Sequence, residues 1–396
     1  MRFAIIAFLL VAVVASILSD WLIYRDLCFL KKKKKLRIAL LVFATLLYCL
    51  LLAAFISLLT PVNSMLFTGW CIFIFLSVFV AKFLYIIFRG ISAIPVLFKH
   101  KAWKSVQIAG FAVSVACFIL LWWNAIVTPR QFDINEVTIE SAKLPAAFNG
   151  YRIVQFSDLH VGTFGNSQSI PMRLVEKINA LKPDLIVFTG DIVNNRSSEL
   201  IPFIPSLRNL EAKDGIVSIL GNHDYGDYAK WKTESAKRDN LDWLVRIEED
   251  SLNWRLLRNE HFFLKNGNDS IAIIGVENWG EPPFSTHGDL NKAYPDINDK
   301  HFKLLLSHNP KHWDIEVCHT PVDLTLSGHT HAMQMVLSVG KWKWSPSAWK
   351  YEHWQGLYEK NGKYLYVNIG IGEVGLPIRI GATPELTVFT LKSKMP

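Results

Sequence analysis

Four short motifs in the last two thirds of the chain carry side chains that can do chemistry together. They are Asp158-Leu159-His160, Gly190-Asp191, Gly221-Asn222-His223-Asp224 and Gly328-His329-Thr330-His331. A further imidazole, His308, sits in Leu306-Ser307-His308-Asn309-Pro310. Carboxylates, an amide oxygen and imidazoles form a hard-to-borderline donor set, suited to divalent manganese, iron or zinc. The candidate ligands are Asp158, His160, Asp191, Asn222, His308, His329 and His331. That is more than one zinc ion takes, since its usual complement is about four. The set suits two ions sharing a carboxylate. Asp191, the only carboxylate of its motif and central in chain order, is the natural bridge.

Each motif follows an apolar, strand-like run: Arg152–Phe156, Asp184–Thr189, Gly215–Leu220 and Val322–Ser327. Ligands placed just past the ends of core strands converge on one edge of a sheet. Segments of helical pattern separate the runs, at Met172–Leu181, Leu200–Leu210 and about Ala236–Glu249. Further strand-like runs fall at Ile271–Val276, Lys303–Ser307, Tyr364–Ile369 and Leu386–Leu391. The alternation predicts βαβ units and an α/β class sandwich. If strand geometry continued through the motifs, Asp158 and His160 would point the same way, as would His329 and His331.

The first third is a different material. The 396 residues carry a net charge of +8, a hydrophobic fraction of 51% and a mean hydropathy of +0.23. Residues 1–130 hold 14 of the 42 Lys and Arg but only 2 of the 34 Asp and Glu. The remainder is therefore mildly acidic, which argues against a nucleic-acid-binding face. Apolar stretches at about Phe3–Ile17, Ile38–Leu59, Met65–Ile87 and Val106–Val127 predict a bundle of about four transmembrane helices, the first a span or signal anchor. Lys82, near the end of the third, is expected to snorkel to the interface. Lys31–Lys35 flanks the first connection and Arg89, Lys99, Lys101 and Lys104 the third, whereas Thr60–Ser64 has no Lys or Arg. The positive-inside rule then puts the C-terminal domain outside the cytoplasm, whether three segments span or four. The expected organisation is a transmembrane region over 1–128, a polar linker over 129–150 and a catalytic domain over 151–396.

In full and in order, the motifs D-x-H, GD, GNHD, a lone His and GHxH resemble the calcineurin-like metallophosphoesterase superfamily, over about Tyr151 to Leu391. The stretches Leu144-Pro145-x-x-Phe148-x-Gly150-Tyr151-Arg152-Ile153 and Pro377-Ile378-Arg379, with Pro384-Glu385 after it, resemble its membrane-attached bacterial branch. The resemblance implies a β-sandwich flanked by helices and two divalent metal ions. Asp158, His160, Asp191 and His331 would hold one; Asp191, Asn222, His308 and His329 the other. His223 would protonate the leaving oxygen, with Asp224 orienting it. Arg196, downstream of Asp191, is a candidate for a substrate phosphate, and His312 lies close enough to His308 to touch substrate. The expected activity is hydrolysis of a phosphomonoester or phosphodiester at the cell membrane, with a lipid-linked or envelope substrate fitting the tether. The alternatives are a pyrophosphatase acting on a nucleotide-linked glycolipid and a catalytically silent membrane sensor or scaffold. A silent relative would have lost a ligand or His223, and none is lost. A transporter is weaker, because the spans show almost no charge. Trp342, Trp344, Trp349, Tyr351 and Trp354 alternate with Lys341, Lys343 and Lys350, a mixture favoured at membrane interfaces.

Overall fold

The computed structural model describes residues 2–29, 34–59, 65–281, 286–297 and 299–394. Two compact units result, one of residues 1–126 with 375–378, the other of 127–374 with 379–396. The basic residues Lys31–Lys33 and the loop Thr60–Ser64, used above to orient the chain, lie outside the described residues.

The first unit contains four long helices: α1 (Arg2–Phe29), α2 (Lys34–Leu59), α3 (Met65–Ala93) and α4 (Lys104–Ile126). Among the described residues three rather than four candidate spans emerge by length and composition: Lys34–Leu58, Met65–Phe98 and Lys104–Arg130. Helix α1 alone of the four carries acidic residues, Asp20 and Asp26. Its carboxylates are matched on α3. Lys82 Nζ donates to both Asp20 oxygens at 2.8 and 2.9 Å and to Ser16 Oγ at 2.9 Å. Tyr48 of α2 donates to Asp20 at 2.7 Å, and Arg89 pairs with Asp26. Lys82 thus turns inward to a carboxylate instead of snorkelling. The spans contain more organised charge than the sequence indicated, because the partners are 62 residues apart.

The second unit is a sandwich of two six-stranded sheets. Along the chain run β1 (Asp133–Ser141), β2 (Arg152–Phe156), α5 (Ser169–Ala180), β3 (Leu185–Phe188), α6 (Ile204–Leu207), β4 (Ile216–Ser218), α7 (Glu234–Arg246) and β5 (Arg255–Leu256). Then follow β6 (Glu260–Asn266), β7 (Asp269–Gly275), α8 (Leu290–Ala293), β8 (Lys303–Leu306), α9 (Lys311–Ile315), β9 (Leu324–Ser327), β10 (Leu337–Val339), β11 (Trp342–Trp344), β12 (Gly356–Lys360), β13 (Lys363–Val367) and β14 (Glu385–Ser393). One sheet has the order β1-β14-β2-β3-β4-β5, the other β12-β13-β9-β8-β7-β6; β10 and β11 pair only with each other.

The strand period of two decides the layers. Ile153, Leu185 and Val187 of the first sheet pack with Ile271, Ile273, Leu304 and Leu324 of the second. Their neighbours Val154, Ile186 and Phe188 face outward onto Leu174, Val175 and Ile178 of α5 and Leu244 of α7. Ala272, Ile274 and Leu305 cover the far face of the second sheet with Trp313 and Val317. Strands β2, β3 and β4 are mutually parallel, as are β7, β8, β9 and β13. Their C-terminal ends therefore deliver loops to one rim.

The stretch 129–150 is not simply a linker. Asp133–Ser141 forms the edge strand β1, parallel to β14 along all nine residues. It reads as polar because only Ile139 is buried, as a solvated edge strand allows.

Candidate metal centre

Each candidate ligand lies two to four residues beyond a strand: Asp158 and His160 after β2, Asp191 after β3, Asn222 after β4, His308 after β8, and His329 and His331 after β9. Strand geometry does not continue into them. Asp158, His160, Asp191, His329 and His331 all have left-handed backbones, with φ of 52°, 44°, 60°, 74° and 48°. A positive φ is uncommon outside glycine, so the rim holds five strained residues together, a pattern that accompanies function. The expected strand-like alternation within each pair is therefore wrong; tight turns aim the side chains instead. Two glycines make the crowding feasible. Gly190 has φ 94°, and a Cβ there would meet Gly221 N at 2.5 Å; one on Gly328 would lie 2.0 Å from Ser157 Oγ and 2.3 Å from Asp158 Oδ2.

The side chains converge in two groups around one oxygen. His331 Nε2 is 3.1 Å from Asp158 Oδ1 and 3.0 Å from His160 Nε2. Across the site, Asn222 Oδ1 is 2.7 Å from His329 Nδ1 and 3.2 Å from His308 Nε2. Asp191 Oδ2 faces both groups, 3.6 Å from His160 Nε2 and 3.2 Å from His308 Nε2. Its other oxygen accepts the His223 amide at 2.7 Å. His308 Nδ1 lies 2.7 Å from the Thr189 carbonyl, which can only accept, so this nitrogen holds a proton. In its neutral form His308 therefore presents a lone pair from Nε2. Ring nitrogens, carboxylates and an amide oxygen facing one another at 3 Å share a need for positive charge, and the donor chemistry fits two divalent ions. His160 Nδ1 is the one ring nitrogen of the ligand set without a partner among the described residues.

Electrostatics are dominated by burial and by these pairs. Burial resists ionisation of Asp158 and Asp191, yet His331 holds the first, and His308 and His223 the second, well below the usual carboxylate range. Burial also opposes charge on His308, but Asp191 drives it up to about 9. Burial and then His308 push His329 down to about 3.

His223 stands beside the ligands, its ring 4.7 Å from that of His160 and stacked 4.3 Å from Tyr228. Its Nδ1 donates to the Asn194 carbonyl at 2.7 Å. Asp224 is not its orienting partner. That carboxylate accepts the amides of Asp191, Ile192, Val193 and Gly221 at 2.8 to 3.3 Å. It ties the Gly190-Asp191 turn to the Gly221-Asn222 turn, and burial followed by Asp191 raises it to about 7. Arg196 is not brought to the ligands: its guanidinium lies over Trp231 and donates to the Lys230 carbonyl. His312 is occupied as well, by Ser307 at 2.9 Å and Glu316 at 3.1 Å.

Three neighbours escaped the sequence reading. Tyr351 OH lies 2.8 Å from His329 Nε2, and Tyr228 OH accepts from Asn222 Nδ2 at 2.8 Å. Fully buried Arg379 donates to the carbonyls of Gly372, Ile369 and Ala382 and places Nη2 3.3 Å from His331 Nδ1. Arg379 had left a sign in the Pro377-Ile378-Arg379 motif, and Tyr351 only as part of the aromatic, lysine-rich segment 341–354.

The calcineurin-like phosphoesterase profile matches residues 151–333, the span holding every ligand above. The uncharacterized metallophosphoesterase YkuE of Bacillus subtilis is 34% identical over 270 residues, 67% of this chain and 87% of the relative. The chain belongs to the calcineurin-like phosphoesterase family. It is a hydrolase of phosphoester bonds whose family chemistry uses divalent metal ions. Two further members extend the comparison. The UDP-2,3-diacylglucosamine pyrophosphatase LpxG of Chlamydia trachomatis is 29% identical, with 71% of this chain and 96% of the relative covered. The bovine transmembrane protein with metallophosphoesterase domain is 28% identical over 66% of this chain and 57% of its own length.

Proposed function

We propose that the protein is a membrane-tethered phosphohydrolase with two divalent ions, acting on phosphomonoesters or phosphodiesters of lipid-linked or other envelope molecules outside the cytoplasm. The single observation behind the two-ion assignment is Asp191 Oδ2, which faces His160 on one side and His308 on the other. Asp158, His160, Asp191 and His331 would hold one ion, and Asp191, Asn222, His308 and His329 the other. Manganese, iron and zinc all suit this donor set.

When bound, such ions polarise the phosphoryl oxygens and activate water, so no Ser or Cys nucleophile is required. The chain's own residues do the rest. The Asn194 carbonyl holds the Nδ1 proton of His223 in place, leaving Nε2 to deliver a proton to the leaving oxygen. Tyr228 stacked on that ring limits its rotation. Tyr351 holds the outer nitrogen of His329, and the buried Arg379 guanidinium lies against the ring of His331.

The chlamydial relative supports a second reading, cleavage of a pyrophosphate in a nucleotide-linked glycolipid. Orientation separates the two, because nucleotide-activated precursors are cytoplasmic. Purified full-length protein should be offered p-nitrophenyl phosphate, bis-p-nitrophenyl phosphate and UDP-diacylglucosamine in detergent micelles. Preference for either aryl ester, with an active alkaline phosphatase fused after residue 396 in cells, supports the first reading. Preference for the sugar nucleotide, with that fusion inactive, would replace it by the second.

A further inference from the structure

The hairpin of β10 and β11 has no counterpart in the two sheets. Its register pairs Leu337 with Trp344, Ser338 with Lys343 and Val339 with Trp342. Directly opposed residues share a face. One face is therefore Leu337, Val339, Trp342 and Trp344; the other is Ser338 and Lys343. The apolar face is exposed at Leu337, Val339 and Trp342 and half-buried at Trp344. Val339 is 73% exposed, Trp342 56% and the neighbouring Trp349, stacked edge-on against Trp344, 79%. An isolated two-stranded hairpin is marginal in water, and a contiguous exposed apolar patch marks a contact surface.

The charges say which surface. Lys341 in the turn, Lys343 on the polar face and Lys350 beside Trp349 are all exposed. No acidic residue lies between Glu316 and Glu352 except Asp323. Tryptophan flanked by lysine suits a bilayer with anionic headgroups. Such a bilayer is within reach of this unit: six residues separate α4, a candidate span, from β1.

The hairpin is also wired to the metal centre. Ser345 Oγ donates to the Ala332 carbonyl at 2.5 Å and Ser347 Oγ to that of Thr330 at 3.4 Å, while Thr330 Oγ1 donates to Trp354 O at 2.7 Å. These bonds tie the segment that follows the hairpin to the strained turn bearing His329 and His331. Tyr351, directly after Lys350, reaches His329.

We propose that the apolar face of the hairpin Leu337–Trp344, with Trp349, docks into an anionic lipid surface and presents the metal centre to phosphate groups in that surface. Docking stands on the hairpin alone; the second clause rests on the phosphohydrolase reading.

The test uses full-length protein in vesicles of phosphatidylcholine and phosphatidylglycerol, with an environment-sensitive fluorescent amino acid replacing Val339 or, as control, Asn361 at the β12–β13 turn. Docking places position 339 about 5–10 Å into the headgroup region. Nitroxide lipids should then quench it more strongly than aqueous iodide does, with the order reversed at 361. Combined K341E, K343E and K350E should return position 339 to the control pattern. Iodide quenching at 339 equal to that at 361 would overturn docking, whatever the enzyme's activity. Separately, W342S with W349S should lower hydrolysis of a vesicle-borne phosphoester about tenfold, a loss of 1.4 kcal/mol, and leave a soluble aryl ester unchanged. Equal loss on both substrates would overturn the presentation clause. No turnover of the soluble ester by the unmutated chain would instead refute the phosphohydrolase reading.

Discussion

At the scale of single residues, the account turns on which atoms share a job. His223 has its Nδ1 proton committed to Asn194, as His308 has to Thr189, which leaves Nε2 free; the proposed mechanism gives that nitrogen proton delivery rather than metal holding. His223→Ala should lower kcat for a poor leaving group roughly 100- to 10,000-fold, with much less effect on a nitrophenyl ester. Its metal content should match the unmutated protein; loss of metal would make His223 a ligand instead. Asp224 belongs to another class. Its carboxylate satisfies four buried amides, and leaving such donors unpaired costs about 1–3 kcal/mol each before relaxation. Asp224→Ala should therefore lower Tm sharply, whereas His223→Ala should not, as thermal melts of both would show. The sequence disclosed the ligand types and their order because each is a side chain next to a strand. It concealed the role of Asp224, because backbone amides leave no mark on residue identity. It likewise concealed Tyr228 and Tyr351, which reach the centre only through the fold.

At the scale of elements, strands set the rim and turns aim the ligands. Apolar runs disclosed β2, β3, β4, β7, β8, β9, β13 and β14, since buried strands must be continuously apolar. The edge strand β1 and the hairpin β10–β11 stayed hidden, having one face in solvent. One element suggests a pH signature. Helix α7 runs into a π-helical turn, Ile247–Ser251, which buries Glu248 completely against Ser218 Oγ at 2.7 Å. Burial and then Asp224 raise its carboxyl from 4.5 to about 8. The folded protein thus keeps a proton that the unfolded chain has already released, and stability falls as pH rises through that window. Glu248→Gln cannot ionise. Its Tm should exceed that of the unmutated protein at pH 8 and converge with it at pH 5. Parallel curves across this range would show that Glu248 does not carry the effect.

At the scale of the whole molecule, a phosphoesterase unit is covalently joined to helices long and apolar enough to cross a membrane. The charged residues of α1 and α3 are mutually neutralised: Asp20 with Lys82, Asp26 with Arg89. Hydropathy detected the spans but not these pairs, whose members are distant in sequence. Removing one partner of a buried pair costs about 3–5 kcal/mol, so Lys82→Leu should reduce the amount of folded protein in membranes. Asp20→Asn together with Lys82→Leu should restore part of it; no recovery would assign Lys82 another role.

The central claim is a two-ion centre bridged by Asp191 that hydrolyses phosphoesters. Its most direct test is to strip the purified full-length protein with chelator and restore manganese stepwise, counting bound metal while following bis-p-nitrophenyl phosphate hydrolysis. Activity should rise to its plateau at two ions per chain, and Asp191→Asn should retain neither the second ion nor turnover. Undiminished hydrolysis by the stripped protein, or a plateau at one ion that Asp191→Asn also reaches, would contradict it.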